Sequence, residues 1–372
     1  MAATLLDRLT TPGPKKILSL DGGGIRGALS LGYLKKIETL LREKEGKPNL
    51  VLSDYFDLIG GTSTGAIIAT LLALGKSVDD ITTMYLELGG EIFAEKRNWW
   101  NPLETFKFFK AEFGEKALEQ ALEKYVGEIA LGDDDIKTGL CIVAKRADTN
   151  STWPLINHPN GKYYPQNKEI KLKHALRASS AAPSYFIPQM IDVGKGQIGA
   201  FVDGGVSMAN NPALTLLMVA TLEGFPFRWS MGEENLTIVS VGTGYSIYQK
   251  KVDDIDDSWL VTWAKSVPEM LMQDSSWQNQ IILQWLSNSP TAVVIDREMG
   301  DLKNDFIAAK PLLKYLRYNI AITKENLNNL GLKQTFSDRD VKNIIEMSNA
   351  GNRFILRDIG IAAASIIKEE HF

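Results

Sequence analysis

The sequence is poor in several features that commonly carry chemistry. It holds one cysteine, Cys141, which excludes an internal disulfide framework and any metal site built from several thiolates, and which fits a reducing compartment. Its three histidines, His158, His174 and His371, leave few sources for a histidine-dependent site. Positive charge is not in excess: 41 lysines and arginines stand against 45 aspartates and glutamates, a formal net charge of −4. With no basic stripe along the chain, a nucleic-acid polymer is a poor partner. No continuous apolar run is long enough to span a bilayer. Leu58 to Gly75 is uncharged, but Gly60, Gly61, Thr62, Ser63, Thr64 and Gly65 break its apolar surface near the start. The N-terminal MAATLLDRLTTPGPKK carries Asp7 and Arg8 where a signal peptide needs its apolar run. Residues 1–15 therefore read as a short mobile leader, and the chain as cytoplasmic. No HExxH helix or EF-hand loop occurs, so no metal is expected.

What is present points to a layered α/β architecture. With 44% hydrophobic and 23% charged residues over 372 positions, the chain can bury a large core. Lys16 to Leu20 is a short apolar run that ends at a glycine turn. Ala28 to Leu41 follows with Leu31, Leu34, Ile37, Leu40 and Leu41 at helical spacing. Tyr55 to Ile59, the turn Gly60–Gly65 and the apolar stretch from Ala66 to about Leu74 repeat the strand, turn, helix order. Ser77 to Leu88 reads as a helix capped by Ser77 with Asp79 and Asp80 in its first turn. Further strands are expected at Thr138 to Lys145, Gly199 to Val202 and Leu236 to Val241, and helices at Leu172 to Ser179 and Pro212 to Leu222. Arg97 to Phe113 is aromatic and irregular, an insertion that either covers a site or packs on the sheet. After Gly244 the pattern changes to long helical segments, including Ser258 to Leu286 with Trp259, Trp263, Trp277 and Trp285, and a strand-like run from Leu313 to Ile322. The tryptophan-rich helix suits either an interfacial lid or ordinary packing on the core; the acidic run Asp253, Asp254, Asp256 and Asp257 before it does not favour anionic membranes.

Three short motifs carry the chemistry. Asp21 to Gly27, DGGGIRG, contains the G-x-G-x-x-G spacing. It suits a dinucleotide pyrophosphate or another negative charge at a helix start. An oxidoreductase would need an acidic residue closing the second strand, and Tyr55 to Ile59 ends instead in Gly60-Gly61-Thr62-Ser63. Gly61 to Gly65, GTSTG, matches G-x-S-x-G between an apolar strand and an apolar helix, which makes Ser63 the candidate nucleophile; the plain alternative is a glycine-rich helix start. A base for Ser63 is harder to find. His158 reads as a solvated turn residue, His174 as a helix-surface residue, and His371 sits at a terminus expected to fray. Asp203 closes the Gly199–Val202 run and precedes Gly204 and Gly205. There it would project from the same sheet edge as Ser63 and could act directly as base, or merely shape a D-G-G turn.

In their order and spacing, DGGGIRG, GTSTG and Asp203-Gly204-Gly205 resemble the patatin-like phospholipases. Ala178–Pro183 (ASSAAP) and Ser240–Gly244 (SVGTG) are smaller echoes, and the likeness runs from about Lys16 to Gly244. The resemblance implies a three-layer α/β/α fold with a largely parallel sheet: a catalytic domain at 16–244 and a mostly helical region at 245–372 that is packed on it as a lid or regulatory part. It implies a calcium-independent lipid acyl hydrolase with no cofactor, acting on phospholipid at a membrane surface through peripheral contact. In that scheme Ser63 is nucleophile, Asp203 is base, and the Gly22, Gly23 and Gly24 amides form the oxyanion hole. Arg26, Gly27, Gly61, Gly65, Gly204 and Gly205 support them. Some bacterial members resemble effectors or toxins switched on by a protein or small-molecule activator. A non-catalytic lipid-binding or storage protein of the same fold is the alternative.

Overall fold

A computed structural model describes residues 4–92, 107–183, 186–194, 196–247 and 260–372. A nine-stranded sheet forms its middle layer. The strands are β1 (Lys15–Leu20), β2 (Leu58–Thr62), β3 (Gly139–Arg146), β4 (Ser151–Ile156), β5 (Gln189–Asp192), β6 (Ile198–Asp203), β7 (Leu236–Val241), β8 (Ser287–Asn288) and β9 (Leu313–Tyr318). Their order is β5-β6-β3-β2-β1-β7-β9-β8, with β4 also paired to β3. Neighbours from β3 through β2, β1, β7 and β9 to β8 are parallel, while β4 and β6 on β3, and β5 on β6, are antiparallel.

Residues along the central strands alternate between two apolar layers, as the two-residue period of a strand requires. Leu18, Leu20, Ile59, Leu140, Ile142, Val239 and Val241 face the helices Gly27–Glu45, Thr64–Ala73 and Arg353–Ala363. Ile17, Leu58, Cys141, Val143 and Ile238 face the helix Ala213–Thr221 and Leu283 of the helix Leu260–Leu286. Burial on both faces explains why these strands read as continuous apolar runs. The result is the three-layer α/β/α architecture with a largely parallel sheet. The helix Val78–Ile92 starts where its capping residue places it: Ser77 Oγ accepts from the Asp80 N–H at 3.2 Å and donates to the Asp80 carboxylate at 2.6 Å.

One expectation about organisation is corrected and another extended. From Thr4 onward the segment read as a mobile leader is a capped helix, Leu5–Thr10, packed on the sheet. Leu9 is fully buried, its carbonyl accepts from Trp229 Nε1 at 2.8 Å, and Arg8 donates to the Phe56 carbonyl at 2.9 Å. A polar leader with two apolar residues on one side gains by docking, which a scan for export signals does not test. The region 245–372 is not only packed on the domain at 16–244 but also completes its sheet. β8 and β9 extend the same sheet beyond β7, and the helix Arg353–Ala363 lies so close to Gly27–Glu45 that a Cβ on Gly360 would stand 2.0 Å from the Leu29 carbonyl oxygen.

Most of Arg97 to Phe113, the acidic run at 253–257 and Trp259 lie outside the described residues. Trp263 belongs to the helix Leu260–Leu286, Trp277 packs edge-on against Tyr245, and Trp285 is exposed. Among the described residues no helix is long and apolar enough to cross a membrane.

Candidate active site

Ser63 stands at the junction of β2 and the helix Thr64–Ala73 with φ 55° and ψ −126°. A side chain with a Cβ adopts such a conformation only under constraint. The constraint is visible in the flanking glycines. A Cβ on Gly61 would lie 2.3 Å from Gly65 backbone atoms, and one on Gly65 would lie 2.3 Å from the Leu20 carbonyl oxygen. Neither position has room for a side chain, and the serine is held in its turn between them. The Ser63 N–H donates to Ser179 Oγ at 2.9 Å, and Ser179 Oγ donates onward to the Val143 carbonyl at 2.6 Å. Thr62 Oγ1 donates to the Ala209 carbonyl.

Asp203 reaches Ser63 by a route that strand direction alone does not supply. β6 runs antiparallel to β3, so Asp203 comes to the serine from the opposite direction to β2. Cys141 to Arg146 of β3 use one edge for β4. On the other edge Thr62 of β2 pairs with Val143, and Asp203 of β6 pairs with the next residue, Ala144. Two strands thus meet head-on along one edge of β3. Gly204 makes the meeting possible: a Cβ there would stand 2.5 Å from the Val143 carbonyl oxygen. The Ser63 side chain lies near enough to the Asp203 carboxylate to lower its pKa, and Asp203 Oδ1 accepts from the Gly205 N–H at 2.7 Å. Burial pushes the Asp203 carboxyl up to about 6, although Ser63 and the bond from Gly205 pull it down.

The Gly22–Gly24 turn leans on the serine, with a Cβ on Gly22 standing 3.4 Å from Ser63 Cβ. Its three amides are not equivalent. The Gly22 N–H donates to the Asn210 carbonyl at 3.0 Å, so it is already engaged, and the expectation of three free donors is corrected to two. Gly23 and Gly24 open a turn of 3-10 helix (Gly24–Arg26). Their N–H groups therefore precede the first residue that could bond within it, and among the described residues they donate to no backbone or side-chain acceptor. Gly24 has φ 55°, the left-handed region that glycine enters without strain. Arg26 closes the turn by donating its N–H to the Gly23 carbonyl at 3.2 Å. At Gly27 a Cβ would meet Tyr85 Oη at 2.6 Å and Thr64 Oγ1 at 2.8 Å. Tyr85 Oη in turn donates to the Gly24 carbonyl at 2.5 Å and shares a 2.7 Å bond with Thr64 Oγ1.

Several anchors of this site come from distant segments of the chain. Thr243 Oγ1 donates to the Gly22 carbonyl at 3.0 Å, and the Ile25 N–H donates to the Met347 carbonyl at 2.9 Å. Arg317 of β9 pairs with Asp21 in a fork, Nη1 to Oδ1 at 2.8 Å and Nη2 to Oδ2 at 2.6 Å. Burial pushes the Asp21 carboxyl up and the guanidinium draws it down again, while Asp21 keeps Arg317 protonated despite its burial. Ser179 and Thr243 lie in ASSAAP and SVGTG, motifs that drew notice without a role.

Among the described residues no histidine bonds Ser63 or Asp203. His174 is exposed, as expected. His158 is not a solvated turn residue: it is fully buried, its Nδ1 accepts from the Asn160 N–H at 3.1 Å, and burial lowers it to about 4. His371 does not fray. It is buried against Tyr318, whose Oη lies 2.9 Å from its Nδ1.

Comparison with known proteins adds family evidence. The sequence model described as Patatin-like phospholipase matches residues 18–217. Patatin-2-Kuras 3 of Solanum tuberosum is 27% identical over 72% of this chain and 71% of its own length. Patatin-like protein 4 of Arabidopsis thaliana is 26% identical over 85% and 82%. The cGAMP-activated phospholipase of Vibrio cholerae is 34% identical over 53% of this chain and 55% of its own length. Among solved structures, VipD from Legionella pneumophila aligns over 94% of this chain and 67% of its own at 13% identity, with a TM-score of 0.36.

Proposed function

This chain belongs to the patatin-like phospholipase family, and from that premise we propose that it is a serine lipid acyl hydrolase cleaving fatty-acyl esters of membrane glycerophospholipids. The observation that carries the reading is the meeting of Ser63, held at positive φ on a strand-to-helix turn, with the buried Asp203, their strands ending at adjacent residues of β3. Asp203 takes the Ser63 proton as the hydroxyl attacks the ester carbonyl. The Gly23 and Gly24 amides receive the oxyanion, each such donor contributing about 3 kcal/mol. The tetrahedral intermediate collapses with loss of the lysophospholipid alkoxide, to which the Asp203 proton passes. Water, deprotonated by Asp203, then releases the fatty acid.

Exposed Val206 and Met208 follow Asp203 directly and give the site an apolar margin suited to a lipid surface. The same reading takes the protein to act in the cytoplasm by peripheral membrane contact, with chemistry that calls for no metal or cofactor. The test is fatty-acid release from mixed phospholipid vesicles by wild type, Ser63→Ala and Asp203→Asn, each with and without chelator. Both variants are expected to lose activity, and chelator to leave wild type unchanged. Full turnover by Ser63→Ala sinks the mechanism. Because the Vibrio cholerae relative bears the name of a cGAMP-activated enzyme, an arm with added cGAMP tests activation. A second arm replaces vesicles by soluble ester to separate chemistry from lipid access.

A further inference from the structure

We propose that Arg317 is the positioning residue of the Gly22–Gly24 turn: its fork on Asp21 fixes the direction in which the Gly23 and Gly24 amides point. The proposal rests on the reading of those amides as oxyanion donors.

Three glycines in a row carry no side chain with which to hold themselves, so their geometry comes from bonds to their main chain and from the residues on either side. On the far side the Ile25 N–H is tied to Met347. On the near side stands Asp21, the first residue after β1, whose N–H donates to the Val241 carbonyl at 3.1 Å. This bond, and those from Gly22 to the Asn210 carbonyl and from Thr243 to the Gly22 carbonyl, hold main-chain atoms only. The carboxylate adds a side-chain hold, because both of its oxygens are engaged by the Arg317 guanidinium, at 2.8 and 2.6 Å. Two parallel charge-assisted bonds set the plane of the carboxylate as well as its place.

The reach of Arg317 follows from the sheet. β9 lies next to β7, and β7 next to β1; Arg317 pairs with Ser240, and Ser240 with Ser19. The guanidinium therefore crosses one strand to meet Asp21. Ser240 is small enough to let it pass, and its Oγ accepts from Nη1 at 2.7 Å. Both side chains are almost entirely buried, at 4% and 6% exposure. A buried ion pair is seldom better for stability than well-packed apolar side chains; what this one adds is orientation, one residue before the amides. It also neutralises a carboxylate that would otherwise face a site required to receive negative charge. The pair joins residue 21 to residue 317, beyond the matched segment 18–217, which makes the last strands of the sheet part of the catalytic apparatus.

The experiment uses the full chain, a soluble p-nitrophenyl ester, and two inhibitors of like shape. One is a trifluoromethyl ketone that Ser63 converts to a tetrahedral oxyanion; the other is the corresponding amide, which binds without reacting. Arg317→Lys keeps the charge but offers one ammonium where a fork is needed. It is expected to lower kcat and ketone affinity together by about 10²-fold, with KM and amide affinity little changed and thermal stability close to wild type. The double variant Asp21→Asn, Arg317→Met removes both charges, so no unpaired ion is left in the core. It carries the test if Arg317→Lys does not fold, with the same expected loss. A folded variant with wild-type kcat and ketone affinity overturns the positioning role, as does a parallel loss of amide affinity. Ser63→Ala distinguishes the two levels: if it keeps full esterase activity, the oxyanion reading falls and this proposal with it. If activity depends on Ser63 but not on Arg317, the positioning role alone falls.

Discussion

The two glycine-rich turns that meet at Ser63 are held in opposite ways. The Gly61–Gly65 elbow is fixed by backbone against backbone, with Gly61 on Gly65 and Gly65 on the carbonyl end of β1. The Gly22–Gly24 turn is fixed by hydrogen bonds from a distance, to the Asn210 and Met347 carbonyls and from Thr243 and, through Asp21, Arg317. The nucleophile's turn cannot shift without moving the sheet. The amide turn can be loosened one anchor at a time. A site of this kind separates what must be rigid from what can be adjusted, and the largest effects should fall on the elbow.

Substituting glycines tests that contrast first. In Gly65→Ala the new Cβ meets the Leu20 carbonyl oxygen at 2.3 Å, and backbone on both sides cannot give. A loss of about 3 kcal/mol in denaturant unfolding, with activity abolished, is expected. In Gly22→Ala the nearest atom is the end of the Asn210 side chain at 2.6 Å, which can swing away, so a loss of about 1 kcal/mol is expected. Equal losses would break the comparison.

Asp203 belongs to the elbow by position and gives it a pH signature. Its carboxyl rises from 3.8 to about 6 on burial. A carboxyl raised by folding holds its proton more tightly in the native state. Its contribution to stability is therefore full below the unfolded value and is lost as pH climbs through about 6. At pH 8 Asp203→Asn should gain on the order of 2–3 kcal/mol in thermal or urea unfolding while losing activity. The same carboxylate must be ionised to act as base, so kcat/KM on soluble ester should fall about tenfold per pH unit below about 6. A flat profile from pH 5 to 8 contradicts the assignment of Asp203 as base.

Ser179 offers a smaller effect on the same turn. Ser179→Ala removes the acceptor of the Ser63 N–H and leaves the Val143 carbonyl without that donor. A loss of about 1–3 kcal/mol is expected, with kcat reduced and KM retained. If KM moves and kcat does not, Ser179 serves substrate binding and the elbow is held by its glycines alone.

The same contrast explains how much of the molecule was legible in the sequence. The central strands, the helix starting after Ser77 and the elbow are written locally, in apolar runs, a capping pair and glycines at fixed spacing. The anchors of the amide turn are not. Thr243, Arg317 and Met347 lie about 220 to 320 residues from the glycines they serve, and of the three only Thr243, in SVGTG, stands in a recognisable motif. Arg317 reads, with Lys314, as one of two cations in an otherwise apolar run, and Met347 contributes a backbone carbonyl that any residue would supply. The meeting of β2 and β6 was also hidden, because head-on register along β3 depends on where each strand stops. Occupancy of the Gly22 amide by Asn210 was invisible for the same reason. The burial of His158 and His371 is hidden in the sequence, because a turn and a chain end look solvated until the neighbouring Phe227 and Tyr318 rings are in place.

One residue bridges the two turns and supplies the finest test of their independence. Tyr85 Oη donates to the Gly24 carbonyl of the amide turn and bonds Thr64 Oγ1, the residue after Ser63. Tyr85→Phe keeps the buried ring and deletes both bonds, at about 1 kcal/mol of stability and a several-fold fall in kcat. Combined with Ser179→Ala, it forms a double-mutant cycle read by urea unfolding and by kcat. If the turns are held separately, the two substitutions add within about 0.5 kcal/mol. A larger coupling would mean that the elbow senses the amide turn through Tyr85, and that loosening an anchor as remote as Met347 reaches the nucleophile itself.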